Sequence, residues 1–215
     1  MSKRLNIDSV PALVGIVGPI VVIVGDLVAS LSIPGYSPVR DTVSSLALTS
    51  VGWLQSICFL AMGLLLEIFV AGLFFNIRRA RGFHAGIGLL ALCGFVLMLI
   101  ATFHMDHPGA PPIDGTIHTI ASYGLGLLFP FAILLLAPSF KSTPNWKNIF
   151  VYTLIASVLA FGLIIGAFLN EQRGWLKGWF GLYERIIILN ALIWAEVVAI
   201  HFLRLLLKRE PKPQS

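Results

Sequence analysis

The sequence predicts an all-α polytopic membrane protein, a six-transmembrane-helix bundle with both termini cytoplasmic, and three observations carry that prediction. Hydrophobic residues make up 57% of the chain and charged residues only 12%, with a mean hydropathy of +0.90; soluble domains carry roughly 25% charge. Apolar runs recur along the whole length, each long enough to cross a hydrocarbon core of about 30 Å. Lys and Arg gather in alternate connections between those runs, which sets orientation because basic residues stay on the cytoplasmic side. The runs use nearly all of residues 1–215, so the chain reads as one transmembrane domain.

Taken in order, the spans fall at about 10–32, 51–77, 82–105, 117–140, 149–169 and 183–207. The first ends near Val28-Ala29-Ser30, which resembles a signal cleavage site. It is longer than a signal core of roughly 7–15 residues and contains Asp26, so it reads as a retained span. The second closes on Arg78, Arg79 and Arg81. Pro130 should kink the fourth and free a carbonyl below His118, and Pro19 should kink the first. Gly162 and Gly166, four apart in the fifth, read as a close-packing motif. The apolar stretch from Gly174 to Leu182 reads as an interfacial turn or lid before the sixth.

One side of the membrane receives Lys3, Arg4, Arg78, Arg79, Arg81, Lys141, Lys147, Arg204, Lys208, Arg209 and Lys212. The other receives Arg40, Arg173, Lys177 and Arg185. The cell membrane with cytoplasmic termini is the location this implies. Tyr36, Trp53, Trp175, Trp179 and Tyr183 mark the outer interface and Trp146 and Tyr152 the inner one. The net charge of +5 thus belongs to topology and anionic lipid. No basic patch alternates with aromatics as a nucleic-acid surface would. The partner is the bilayer, and nothing in the pattern specifies an oligomeric state. Cys58 and Cys93 fall inside spans and read as packing residues.

Ionisable residues then point to a site. His104, Asp106, His107, Asp114 and His118 lie within fifteen residues at the turn between spans three and four, with no Lys or Arg among them. Asp114, His118 and Ser122 recur at four-residue spacing, one stripe of a helix. Asp114 on its own reads as a helix-start residue. Imidazole and carboxylate suit a divalent metal such as zinc, so His104, Asp106, His107 and His118 form a candidate metal set, although the spacing matches no zinc signature. No other cofactor is called for. Arg40 with Asp41, and Glu184 with Arg185, stand at outer span boundaries. Each pair reads either as a solvated couple or as ties between loops, Arg40 to Glu184 and Arg185 to Asp41 or Asp106. An arginine held that way also suits a phosphate.

Three acids lie within spans, where a charge costs at least about 2.5–3.5 kcal/mol and usually faces the bundle interior. Asp26 shares a stripe with Ser30, and Glu67 shares one with Ser56 and Gly63. Glu196 lies eleven residues, or three turns, after Arg185 on the same helix face. Protonated packing glue is the plainer reading for Glu67; Asp26 and Glu196 read as lining a path.

Four segments together resemble a known family. They are Pro34-Gly-Tyr-Ser-Pro-Val-Arg-Asp-Thr-Val-Ser-Ser-Leu-Ala47, Phe103-His-Met-Asp106, Gly115-x-x-His118 and Glu184-Arg185. The chain resembles the domain-of-unknown-function family numbered 998, prokaryotic six-span membrane proteins. That resemblance implies the fold and the membrane location and brings no catalytic assignment. The residues themselves support three functions. The first is an outward-facing polar site of Arg40, Asp41, His104, Asp106, His118, Glu184 and Arg185 that binds or transports a lipid head group or small polar molecule. The second is a metal-dependent intramembrane hydrolase acting on lipid, and the third a structural or interaction protein.

Overall fold

The computed structural model describes residues 7–105, 109 and 111–208. Among them are seven α-helices and no strand. After a 3-10 turn at Ile7–Ser9 come α1 (Val10–Ser32), α2 (Val43–Leu46), α3 (Gly52–Asn76), α4 (Phe83–Thr102), α5 (Pro112–Ser142), α6 (Lys147–Arg173) and α7 (Phe180–Lys208). All but α2 are long and apolar enough to cross a membrane. The six expected spans are therefore present. The fourth starts five residues earlier than the hydropathy suggested, because Pro112 is a favoured first helical residue whose missing N–H costs nothing there. The fifth runs on to Arg173, where Gly174 at φ +65° ends it.

Each long helix packs on the next in chain order, and α7 returns to pack on α1, closing a ring. The ring has two unlike ends. One gathers the start of α1 and the end of α7 with the α3–α4 and α5–α6 connections, and here Pro11 packs against Gly72 and near Phe202. We call it the basic end, after Arg78, Arg79, Arg81, Lys141 and Lys147. Its interior is solid: Phe69, Leu73, Leu136, Phe140 and Phe202 are fully buried. Phe140 stacks on Trp146 with ring centres 5.2 Å apart. The connections are pinned by side chains. The Arg78 N–H donates to Thr143 Oγ1 at 3.0 Å, and the Thr143 hydroxyl donates to the Ser139 carbonyl at 2.6 Å.

Between the ends, small residues set the helix approach. A Cβ on Gly63 would press on the Gly94 carbonyl, and one on Gly94 on the Glu67 carboxylate. The stripe of Ser56, Gly63 and Glu67 thus faces α4, which gives Glu67 a packing position. The expected motif on the fifth span is half right. Gly166 lies under the Tyr183 hydroxyl, which donates to the Leu163 carbonyl at 2.8 Å, whereas Gly162 faces open space. Below His118, the Pro130 carbonyl accepts from Ser157 at 3.0 Å, tying α5 to α6.

Candidate functional site

The opposite, polar end gathers the α1–α3, α4–α5 and α6–α7 connections, and Arg185 in the second turn of α7 organises it. Its Nε and Nη2 donate to both oxygens of Asp26 on α1, at 2.9 and 3.0 Å. Nη2 also donates to Ser30 Oγ at 3.3 Å and to Tyr36 Oη at 2.7 Å. Nη1 meets the carbonyls of Pro38, Asp41 and Gly181 at 2.9, 2.9 and 3.2 Å. A guanidinium has five N–H donors, and seven acceptors surround this one, so it is saturated. The Asp26–Ser30 stripe expected on the first span is the face that meets it. The sequence offered Asp41 or Asp106 as the partner of Arg185; the pairing carboxylate is Asp26, and Asp41 contributes its carbonyl.

This clamp fixes the first connection against α7. The Leu182 N–H donates to the Val39 carbonyl at 3.0 Å. The Tyr36 hydroxyl lies 3.1 and 2.8 Å from the Asp41 and Thr42 carbonyls, to which it donates. Burial pushes the Tyr36 phenol above its ordinary pKa, against the opposing pull of Arg185. Arg40 and Asp41 pair with each other through two 2.8 Å bonds, and Asp41 also accepts the Ser37 N–H at 2.8 Å. The Arg40 hydrogen bonds, backed by that N–H, hold the Asp41 carboxyl below the usual carboxylate range. Arg40 does not reach Glu184, so the solvated-couple reading holds for this pair.

Glu184 has a different task. One carboxylate oxygen accepts the Val43 N–H at 2.6 Å and the other lies 3.3 Å from Ser44 Oγ. It caps the start of α2, a short helix within the connection expected between the first two spans. Thr42 assists by accepting the Ser45 N–H at 3.1 Å, a local capping signal visible in the sequence. Val43 and Leu46 are buried, which folds this connection down into the mouth of the ring.

His118 stands opposite. Its Nδ1 is 2.9 Å from the Phe103 carbonyl and its Nε2 3.1 Å from Ser44 Oγ. A carbonyl only accepts, so Nδ1 carries a hydrogen, and Nε2 faces the Ser44 hydroxyl that Glu184 also shares. His104 is paired to another serine, with Nε2 2.9 Å from Ser56 Oγ on α3. Asp114 lies in the first turn of α5, where Pro111 occupies the cap position. No three His, Cys, Asp or Glu side chains converge among the described residues; the Asp106 and His107 expectations lie outside them. The acids at greater depth stand apart: Glu67 and Glu196 line neither of the two cavities below.

The larger cavity, about 430 Å³, fills the polar half of the ring. Thr42, Ser44, His118, Ser122, Tyr123 and Glu184 line its polar end, and Tyr123 donates to Glu171 there. Its deep part is walled by Met62, Leu66, Leu90, Leu97 and Phe129. The His118–Ser122 stripe therefore faces the cavity. A second cavity of about 260 Å³ lies among α1, α3 and α7, bordered by Asp26, Gln55 and Arg185. Ser44, Tyr36, Gln55 and the Tyr123–Glu171 pair are the residues sequence reasoning did not single out as site residues. Ser44 and Tyr36 had a signal, both standing in the segment from Pro34 to Ala47 that carries the family resemblance.

A closed ring of six apolar helices with hydrogen-bonded charges at one end defines a multi-pass helical membrane protein. A family model covers residues 16–201, and the chain belongs to that family, described as "Protein of unknown function (DUF998)". Neither a curated protein nor a solved structure matches the chain.

Proposed function

We propose that this protein binds an amphiphile in the central cavity, with its head at the polar end and its chain in the ring. The supporting observation is how the lining is divided. The hydroxyl, imidazole and carboxylate groups of Ser44, Ser122, Tyr123, His118 and Glu184 collect at one end, and the wall beyond is apolar down to Leu66, Leu90 and Phe129. A pocket of that volume with few, convergent polar groups is the usual form of a small-molecule site. The positive-inside count supports an outward orientation for this end, and on that reading the ligand is a lipid of the outer leaflet or a small polar molecule that reaches it. Because Arg185 is saturated by Asp26 and the carbonyls around it, the head is held by Ser44 and His118 rather than by an arginine–phosphate pair. The test is lipid extraction and mass spectrometry on protein purified in a mild detergent. A defined lipid should co-purify with the wild type and be lost in Ala191→Phe, which fills the cavity from α7. Equal lipid content in both proteins would refute the reading.

One observation favours a second reading, lipid acyl transfer. The chain Phe103 carbonyl, His118, Ser44 sets a base that a third group orients against a hydroxyl, the arrangement that activates a serine. In that reading Ser44 Oγ attacks an ester carbonyl while His118 Nε2 takes the hydroxyl proton. The proton passes to the departing alcohol, and water, deprotonated in turn by His118, releases the acid and restores Ser44. A fluorophosphonate probe should then label Ser44 in the wild type and fail with His118→Asn. Absence of label on the folded wild-type protein would remove this reading and leave the binding proposal standing.

A further inference from the structure

The second cavity holds a polar group with no partner among the described residues. Gln55, one turn into α3, is 1% exposed, and among those residues neither its Nε2 nor its Oε1 has a hydrogen-bond partner. Buried polar groups are nearly always satisfied, and one left without a partner calls for an explanation. Gln55 borders the 260 Å³ cavity, so space for that partner is present beside it. We propose that this cavity is a second binding site, for a neutral single-chain lipid whose head sets a hydrogen-bond donor beside an acceptor. An acyl amide and a glycerol monoester both carry that pattern.

The chemistry of the walls selects this class. The charges at the cavity, Asp26 and Arg185, form a two-point pair, and Arg185 has no donor left over. An anionic head would therefore find no free cation, and a cationic one no free carboxylate. What the site offers is the Gln55 amide, a donor and an acceptor side by side, which a ligand amide or hydroxy-ester answers in kind. The remaining wall is apolar, with Val22, Phe59, Leu189 and Leu192 among its members. Two of its α1 residues, Ile23 and Leu27, are exposed on the lipid-facing side of a spanning helix, so a chain in the cavity is continuous with the bilayer. At roughly 30 Å³ of liquid volume per water, 260 Å³ exceeds what one bridging water needs.

The site is distinct from the central cavity but adjoins it. Val22, Val43, Phe59, Ile188 and Leu192 border both. A lipid seated at Gln55 thus lies against residues that also line the central cavity, and the second site serves as a lateral approach to the first.

The test is photo-crosslinking of the full chain in phosphatidylcholine nanodiscs. The probes are a diazirine N-acyl ethanolamine, a diazirine monoacylglycerol and, as an anionic comparison, a diazirine phosphatidylglycerol. One or both neutral probes should mark Ile23 and Leu27 of α1 and Leu189 of α7, which border this cavity and not the central one. Labelling should fall at least fivefold in Gln55→Leu, which removes the amide at similar volume, and in Leu189→Trp, which fills the cavity without touching Gln55. The anionic probe should give surface labelling that neither variant changes. Labelling of these segments that is equal in wild type and both variants overturns the proposal. So does an absence of labelling there, which would leave Gln55 answered by water alone. Adducts near Leu90 and Phe129 report on the central cavity separately, so the two sites stand or fall independently.

Discussion

At the basic end, Phe69, Phe140, Trp146 and Phe202 fill the ring, and the connections are pinned by Ser139 and Thr143. At the polar end the same six helices surround two cavities, and their contact is made through Asp26, Arg185, Glu184, Ser44 and His118. In lipid there is little hydrophobic drive to bring helices together, so close packing and hydrogen bonds have to do it. One end relies mainly on packing and the other mainly on polar ties. The difference teaches where a ligand is accommodated: a cavity can persist where polar ties, rather than filled volume, hold the helices.

The contrast is tested most severely at Arg185. Arg185→Met leaves the Asp26 carboxylate, whose side chain is 21% exposed, without its partner. Removing one member of a buried pair costs about 3–5 kcal/mol. Unfolding by denaturing detergent should show a loss of that order, and the Asp26→Asn, Arg185→Met double variant should recover part of it. A single variant as stable as the wild type would mean that the clamp does not hold the polar end.

The next test compares filling with emptying. Phe140→Ala at the solid end should cost about 3 kcal/mol, within the range for aromatic truncation in a packed core. Ala191→Phe, which adds volume at the other end, should be neutral or stabilising in the same unfolding assay, because the space is already present. If Ala191→Phe destabilises as strongly as Phe140→Ala, the polar half is packed in solution and the cavity argument loses its basis.

Much of the fold was legible in the sequence because the bilayer imposes it. Six apolar runs had to be six helices, since a spanning backbone must satisfy its own hydrogen bonds. The site was legible by place and less so by pairing. Helical phase put Asp26 and Ser30 on one stripe, yet Arg185 lies 159 residues away from Asp26. Nothing local distinguishes Asp26 from Asp41 as the partner of Arg185. Glu184 capping α2 is likewise a contact across 141 residues, so a four-residue helix with weak intrinsic drive was read as loop. The glycines show the same limit. Gly162 and Gly166 match a packing spacing, but whether a neighbour stands opposite depends on the ring, and only Gly166 has one.

The smallest expected effect concerns the side-chain pair of Arg40 and Asp41, of which only the Asp41 carbonyl takes part in the clamp. Hydrogen bonds from Arg40 and the Ser37 N–H lower the Asp41 pKa in the folded protein. A carboxyl whose folded value is depressed contributes stability above its unfolded value, near 3.9. That contribution fades as pH falls toward and through the folded value. Asp41→Asn should therefore lower the melting temperature slightly at pH 6, and the two proteins should converge as the pH falls through the depressed folded value. Added salt should narrow the gap at pH 6, because an exposed pair is screened within about 10 Å at 0.1 M. An Asp41→Asn loss that rivals Arg185→Met would make the Asp41 carboxylate, and not only its carbonyl, part of what holds the clamp. It would make the first connection, rather than the Asp26–Arg185 pair, the element that keeps the polar end together.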